Sequence, residues 1–365
     1  MNTDCSEYSF DEIVEDYTRL GVKIPKNNYL SEGAYPIIDQ GQEFIAGYSN
    51  DKEGLFTDVP AIVFGDHTRV FKFIDFPFFL GADGVKILKV KKELNYKYLY
   101  YYFLQANFPN TGYARHYKWL KDLIIPLPSI KKQNEIVAQL DKCSLLITNN
   151  KQLIEKYDLL IKSRFIEMFG DPVRNPKRWE VKKLKETADI ITGNTPSRKD
   201  KDNYGTFIEW IKTDNITDNT YITTAAEYLS EKGEKLGRTV EAGSILMACI
   251  AGSLRSIGRV ALTDRKVAFN QQINAIVPKE YNSLFLYALF QNTQSYAQST
   301  VNMALKGILS KGKLEELEYI LPPIELQNDF AAFVQQIDKS KFVVQQLLKK
   351  IETLYKSLMK EYFEK

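Results

Sequence analysis

Apolar residues recur every seven positions along two long stretches of the chain. In the first, Leu140, Ile147, Ile154, Ile161 and Met168 mark one seam, with Asn150 and Tyr157 on a second. In the other, Phe330, Ile337, Val344, Ile351 and Leu358 mark the seam, with Phe333, Leu347 and Leu354 at the second position. Sustained seven-residue spacing describes a coiled coil rather than an ordinary surface helix. Each helix is expected to run for about 38 to 40 residues, or about 60 Å. Two such stripes in one chain can bury each other, so the pattern predicts two long helices packed side by side and antiparallel. The alternative is that each packs on its own domain or on another chain. Asn150 stands where the other stripe has Leu347; a buried seam asparagine fixes register at a cost in stability, whereas an exposed one does not.

The two helices belong to a repeat. Leu120 to Leu140 and Leu314 to Val334 match at a fixed offset of 194 (Leu120 to Leu314), which pairs Pro128, Ile130, Gln133 and Asn134 with Pro322, Ile324, Gln327 and Asn328. After three inserted residues the match resumes at an offset of 197, where Asp141 and Lys142 become Asp338 and Lys339. A repeat of this length governs the local readings. Pro126 and Pro128 make the entry to the first helix extended. Ser129 is its expected N-cap, and Gly170 with Pro172 its stop.

Shorter patterns fill the rest. Tyr35–Asp39, Ala61–Phe64, Val70–Ile74 and Val85–Val90 read as strands, Tyr96–Ala106 as a helix, and the acidic lead-in as helical. Further along, Phe207–Ile211 and Gly258–Leu262 read as strands, Ser244–Ile250 is an apolar run, Ala268–Val277 carries Asn270-Gln271-Gln272-Ile273, and Leu284–Thr293 reads as a helix. The chain is therefore expected to be α+β, with two pseudo-repeated α+β domains separated by two long helices packed as an antiparallel coiled coil. Domains are expected at residues 1–121, 122–170, 171–313 and 314–365: globule, helix, globule, helix. Two like halves suggest pseudo-two-fold symmetry, the geometry by which paired modules read two half-sites on a duplex.

The 365 residues are 44% apolar and 26% charged, an ordinary globular composition too long for one simple core. A net charge of +3 is compatible with nucleic acid and diagnostic of nothing. Three dispersed cysteines indicate neither a zinc site nor a disulfide framework and fit a reducing cytosol. The N-terminus lacks the basic and apolar regions of a signal peptide, and no apolar window is long enough to span a membrane. Gly307 with Gly312 and Lys313 nearly spells a phosphate loop, but Leu314 replaces the magnesium-binding hydroxyl. The two histidines, His67 and His116, have no ligand-spaced partner. Without a nucleophile elbow or a methyltransferase signature, the chain by itself is expected to carry no chemistry, no cofactor and no metal.

The loops are more informative. Gln and Asn can pair bidentately with adenine and Arg with guanine, while other cations meet phosphate. Gln40, Gln42, His67, Arg69, Arg115 and Lys118 are the candidates in the first globule. Asn194, Arg198, Lys199, Lys212, Arg255, Arg259, Asn270, Gln271 and Gln272 are those in the second. Any one of these fits an ordinary surface loop; their clustering in both halves points to DNA. Two other function classes remain beside DNA recognition: a stand-alone nuclease or methyltransferase with an unrecognised site, and a coiled-coil scaffold with protein-binding globules.

Several runs, taken with the paired proline-helix repeats, carry a family resemblance. They are Tyr35-Pro36-Ile37-Ile38-Asp39-Gln40-Gly41-Gln42, Val63-Phe64-Gly65-Asp66-His67-Thr68-Arg69, Gly81-Ala82-Asp83-Gly84-Val85, Met168-Phe169-Gly170-Asp171-Pro172, Thr192-Gly193-Asn194-Thr195-Pro196 and Asn270-Gln271-Gln272-Ile273. Over essentially its full length the chain resembles the specificity subunit of type I restriction–modification systems, departing from some members in its short acidic lead-in. The resemblance implies two target recognition domains, each reading half of a bipartite DNA sequence, with the long helices as spacer and docking surface for two methyltransferase subunits. Restriction subunits would join these. S-adenosylmethionine, ATP and Mg would belong to the partners, and the complex would be cytoplasmic.

Overall fold

The computed structural model describes residues 5–81, 84–106, 109, 114–301 and 307–364, so Ala82 and Asp83 lie outside the described residues. Two compact units result, one of residues 1–151 and 346–365, the other of residues 152–345. The chain passes from the first to the second within one 40-residue helix and returns within another.

In the first unit the chain forms β1 (Cys5–Ser9), α1 (Phe10–Ile13), β2 (Val14–Asp16), β3 (Tyr35–Ile38), β4 (Gly47–Ser49), β5 (Ala61–Gly65), β6 (Phe71–Ile74), β7 (Phe79–Leu80) and β8 (Val85–Val90). Then come α2 (Tyr96–Gln105), α3 (Tyr117–Leu120), β9 (Ile124–Pro128) and the first long helix, α4 (Ile130–Phe169). One sheet has the order β2-β8-β5-β6 and a second the order β4-β3-β7, while β1 pairs with β9. Strand β5 is buried on both faces: Ile62 and Phe64 pack toward α2 with Phe71, Leu99 and Phe103, while Ala61 and Val63 join Ile38, Ile74 and Ile87 on the other side. A strand buried on both faces reads as an unbroken apolar run, as Ala61–Phe64 does.

The second unit repeats this plan. It contains β10 (Glu180–Lys183), α5 (Leu184–Thr187), β11 (Ala188–Thr192), β12 (Tyr204–Ile211), β13 (Tyr228–Leu229), α6 (Glu231–Leu236), β14 (Thr239–Val240), β15 (Ile245–Ala248), β16 (Ile250–Ala251) and β17 (Val260–Leu262). These are followed by β18 (Val267–Phe269), β19 (Ile273–Pro278), α7 (Ser283–Asn292), α8 (Gln294–Ser299), β20 (Gly307–Ile308), α9 (Lys311–Glu315), β21 (Glu318–Leu321) and the second long helix, α10 (Ile324–Phe363). The sheet β11-β19-β15-β17 has the connectivity of β2-β8-β5-β6, and β10 pairs with β21 as β1 pairs with β9. The repeat thus covers the globular parts as well as the helices.

The repeated Gln-Asn pair has the same task in both units. Gln133 accepts from the Asn95 backbone N–H at 2.9 Å and donates to the Pro128 carbonyl at 2.8 Å, while Asn134 accepts from the Asn95 amide at 2.8 Å. Gln327 and Asn328 make the same three bonds to Asn282 and Pro322, at 2.9, 2.8 and 3.0 Å. Asn95 and Asn282 are in turn the N-caps of α2 and α7. One set of amides therefore closes the start of a globular helix and seats it on the first turn of a long helix.

Within each unit the two long helices run antiparallel. In the first, Ile136, Val137 and Leu140 of α4 share a cluster with Tyr355, Met359 and Tyr362 of α10, and Lys151 pairs with Glu352 at 3.1 Å. In the second, the rings of Phe165 and Phe330 lie 5.5 Å apart and Lys341 reaches Asp158 at 2.5 Å. Each unit also packs these segments on its own sheet-and-helix core, with Phe165, Phe169 and Phe330 meeting Phe285 of α7. Gly170 ends α4 in the left-handed region at φ +77°, which a side chain would strain.

Two expectations need correction. The lead-in is not a single helix: Cys5–Ser9 is a strand paired in antiparallel register with Ile124–Pro128, and only Phe10–Ile13 turns helically. The extended proline strand presents backbone groups that β1 satisfies, and this pairing overrides local helical preference. On α10 the second seam lies one residue later than expected. Leu347 and Leu354 are 47% and 52% exposed, whereas Val334 is buried and Leu348 and Tyr355 are half-buried. Asn150 is buried, and its amide donates to the Leu146 carbonyl at 2.7 Å, one turn back on its own helix.

Candidate nucleic-acid interface

In the first unit the runs Tyr35–Gln42 and Val63–Arg69 meet Gly81, Gly84 and Val85 at one end of the β3 and β5 strands. Asp39 accepts from the Gly41 N–H at 2.7 Å, turning the chain sharply after β3. Gln40 accepts from the His67 N–H at 3.2 Å, and its carbonyl takes the Thr68 hydroxyl at 2.5 Å. The Asp66 N–H reaches the Gly84 carbonyl at 2.7 Å. On the far side, His116 donates its N–H to the Asp66 carbonyl at 2.8 Å, and the Asp66 carboxylate accepts from Tyr117 at 2.7 Å. This anchors Arg115 and Lys118 beside the same turn. Gln42, Arg69, Arg115 and Lys118 are exposed, while Gln40 and His67 are half-buried. Arg69 is in the left-handed region at φ 62°.

What holds this loop is a residue not anticipated from sequence. Lys72 of β6 is only 3% exposed, and its ammonium donates to the carbonyls of Asp39 at 2.9 Å and Glu43 at 2.5 Å. The Asp39 carboxylate stands 3.6 Å away. Burial pulls the Lys72 pKa below its usual value, with Asp39 opposing the shift. The buried lysine thus fixes the two ends of the segment that carries Gln40 and Gln42.

In the second unit Thr192–Pro196 packs on Asn270–Ile273. The Gly193 N–H donates to the Ile273 carbonyl at 3.0 Å and the Asn194 N–H to Phe269 at 3.1 Å. A Cβ on Gly193 would fall 2.1 Å from the Asn270 carbonyl oxygen, so only glycine fits there. Asn194 is occupied at both ends of its amide, donating to the Leu236 carbonyl at 2.7 Å and accepting from the Arg238 N–H at 2.8 Å. Asn270 is 5% exposed and bonds Gln272 through both its oxygen and its nitrogen. Gln271 is exposed and accepts the Thr195 hydroxyl. Asn194, Asn270 and Gln272 therefore brace the loops, and Gln271 is presented on them.

Arg198 and Lys212 converge on one carboxylate. Glu227 accepts from Arg198 at 2.7 Å with one oxygen and from Lys212 with the other. The Arg198 guanidinium lies 4.7 Å from the Tyr204 ring centroid and 5.1 Å from that of Trp210, and the Lys212 ammonium lies 5.1 Å from Trp210. The same two aromatics hold the loop, since the Tyr204 hydroxyl donates to the Pro196 carbonyl at 2.7 Å and Trp210 Nε1 to Asn194 at 3.3 Å. The hydrogen bond from Lys212 holds the Glu227 carboxyl below its usual range, against partial desolvation, and Arg198 adds to the shift. Lys199 is exposed beside this group. Arg255 and Arg259 form a second group, lining a polar cleft of about 410 Å³ with Asp218, Gln291 and Gln294; Arg259 pairs with Asp218 at 3.0 Å.

Glu227, Tyr204 and Trp210 also escaped the sequence reading, although one signal was available. Trp210 and Lys212 are two residues apart in extended chain and so share a face. Nothing comparable marks Glu227, which reaches Arg198 across 29 residues. The near-phosphate-loop run provides no cradle: Gly307 lies in β20, Ser310 caps the five-residue α9, and Lys313 donates to the Thr300 carbonyl at 2.8 Å.

Known proteins place this arrangement. The family model for the type I restriction modification DNA specificity domain matches residues 4–157 and 176–353. A type I restriction enzyme specificity subunit of Escherichia coli is 24% identical over 339 residues, covering 87% of this chain and 81% of its own. The specificity subunit of the type I restriction enzyme HindI of Haemophilus influenzae is 28% identical over 192 residues, which is 52% of this chain but only 38% of that subunit's length. In fold, the crystal structure of the type I restriction-modification S subunit from M. genitalium matches across 100% of this chain and 98% of its own, with a TM-score of 0.68 at 16% identity. With both globular parts and most of both long helices inside the matched residues, the chain belongs to the type I restriction modification DNA specificity domain family.

Proposed function

We propose that this chain is the DNA-recognition and assembly subunit of a type I restriction–modification complex. Each unit reads one half of a bipartite duplex target. The first uses Gln40, Gln42, His67, Arg69, Arg115 and Lys118. The second uses Arg198, Lys199, Lys212, Gln271, Arg255 and Arg259, on loops braced by Asn194, Asn270 and Gln272. The observation that carries this reading is the doubling of one architecture, with amide- and cation-bearing loops built at matching strand ends and the same Gln-Asn seat on each long helix. The helices set the gap between half-sites. Their exposed apolar residues, among them Leu145, Leu159, Phe342 and Leu347, suit docking of two methyltransferase subunits, with restriction subunits joining the assembly. Adenine methylation from S-adenosylmethionine and ATP- and Mg-dependent cleavage belong to those partners, this chain being non-catalytic and cytoplasmic.

Single-molecule methylome sequencing of a host carrying the full system tests this reading. One bipartite methylated motif is expected to appear with the system and vanish when this chain is deleted. Purified chain that methylates or cleaves DNA by itself would instead establish an enzyme.

A further inference from the structure

Arg198 and Lys212 are two cations of the second unit that share one carboxylate and one aromatic floor. Glu227 spans them, one oxygen to each, and the faces of Tyr204 and Trp210 lie alongside. Trp210 is 3% exposed and Tyr204 is tied to Pro196, so the aromatic floor is rigid. The charged groups above it are open to solvent: the Arg198 side chain is 55% exposed, Glu227 34% and Lys212 32%. Ion pairs this exposed contribute little to folding stability. An orienting carboxylate here matters for what the cations can meet, rather than for holding the unit together.

Glu227 takes one hydrogen of Arg198 Nη2, which leaves the other Nη2 hydrogen, with its neighbour on the same edge of the guanidinium, to address a ligand. A guanidinium fixed in plane suits the two acceptors that guanine presents in the major groove. A mobile guanidinium or ammonium serves any phosphate equally well. The carboxylate also repels phosphate and competes with it for both cations.

We infer that Glu227 is a positioning residue that aims Arg198 at a base edge of the half-site read by the second unit and withholds Arg198 and Lys212 from indiscriminate phosphate contact. This rests on the reading of the chain as a DNA-recognition subunit. Glu227 touches no base itself, and its effect is discrimination rather than affinity.

The test uses the full chain assembled with its methyltransferase subunits and a duplex pool with a randomised core. Wild type is expected to enrich a two-part motif. Glu227→Gln is expected to keep the half-site of the first unit and to lose at least one base of preference in the other half. Its binding to unselected duplex should tighten several-fold, with the slope of log K against log salt steeper by about one, as for one more neutralised phosphate. Glu227→Asp should restore much of the preference. Arg198→Lys, which keeps the charge and loses the plane, should relax the same base without tightening binding to unselected duplex. The inference is overturned if Glu227→Gln or Arg198→Lys enriches the wild-type motif unchanged, or if both half-sites relax together. A wild-type complex that enriches no motif would overturn the DNA-recognition reading itself, a separate result.

Discussion

Lys72 shows how a single buried charge can shape a loop that it never leaves the sheet to join. Its ammonium is the donor for two carbonyls at either end of the Asp39–Glu43 segment. Lys72→Met would leave both without that donor, and a buried polar group left unsatisfied costs about 1–3 kcal/mol. A lower melting temperature of the full chain is expected, together with weaker preference at the half-site of the first unit and unchanged preference at the other. Equal loss at both half-sites would contradict the local role. Thiol chemistry separates residues in the same way. Burial pushes the Cys249 thiol up to about 12, so it stays protonated at neutral pH, whereas Cys5 is exposed. A maleimide at pH 7.5 should label Cys5 and spare Cys249, as peptide mass mapping would show.

At the scale of elements, the seam of α10 is defined by what is buried. Ile351 is 7% exposed and Leu354 52%. Ile351→Ala should cost about 2–5 kcal/mol as a core truncation, and Leu354→Ser should stay within about 0.5 kcal/mol as a surface change; denaturant midpoints decide. The C-terminal end of α9, beside the β10–β21 pair, carries a pH signature. Glu316, bonded by Lys183 and then Lys185, has its carboxyl pulled from 4.5 down to about 2. A lowered carboxyl stabilises the fold above its unfolded value and loses that contribution as pH falls through the folded one. Because these side chains are exposed, the melting difference between wild type and Glu316→Gln should be small, present above pH 4.5 and gone toward pH 2. A difference constant across that window would refute the assignment.

These elements also show what could be read beforehand. Long helices announce themselves through a seven-residue period, and β5 through an unbroken apolar run bounded by turns. Strand β1 did not, because its stability comes from Ile124–Pro128, more than a hundred residues away in sequence. The offset of the second α10 seam was hidden for a different reason: Leu354 and Tyr355 are both apolar enough to qualify, and only packing chooses between them. Gln133 and Asn134 stood out as repeated, but their partner Asn95 lies 38 residues upstream and carries no mark of its own. The loop candidates were legible as residue types. Whether a side chain braces the loop, like Asn270, or is offered on it, like Gln271, depends on neighbours the sequence does not pair.

At the scale of the whole molecule, the two units share a plan but not their loop residues, and on the proposed function this predicts modular recognition. Replacing everything after Gly170-Asp171 up to the start of α10 with the corresponding segment of a relative should exchange one half-site and leave the other intact; methylome sequencing would read the outcome. Insertion of one heptad near Thr148–Lys151, with a matching insertion in α10, should widen the gap between half-sites without changing either. Half-sites that change together would refute modular reading.

The seat made by Asn95 on Gln133 and Asn134, and again by Asn282 on Gln327 and Asn328, is built from the same residue types in both units, although the reading loops differ. A head that keeps the asparagine-capped helix, the proline strand and the apolar face laid on the long helices is expected to plug into such a socket, whatever its reading loops have become. On the proposed function, genetic exchange that crosses over in the short stretches encoding the sockets is therefore expected to yield a foldable hybrid with a new target, so that new specificities would arise by trading heads as well as by remaking them.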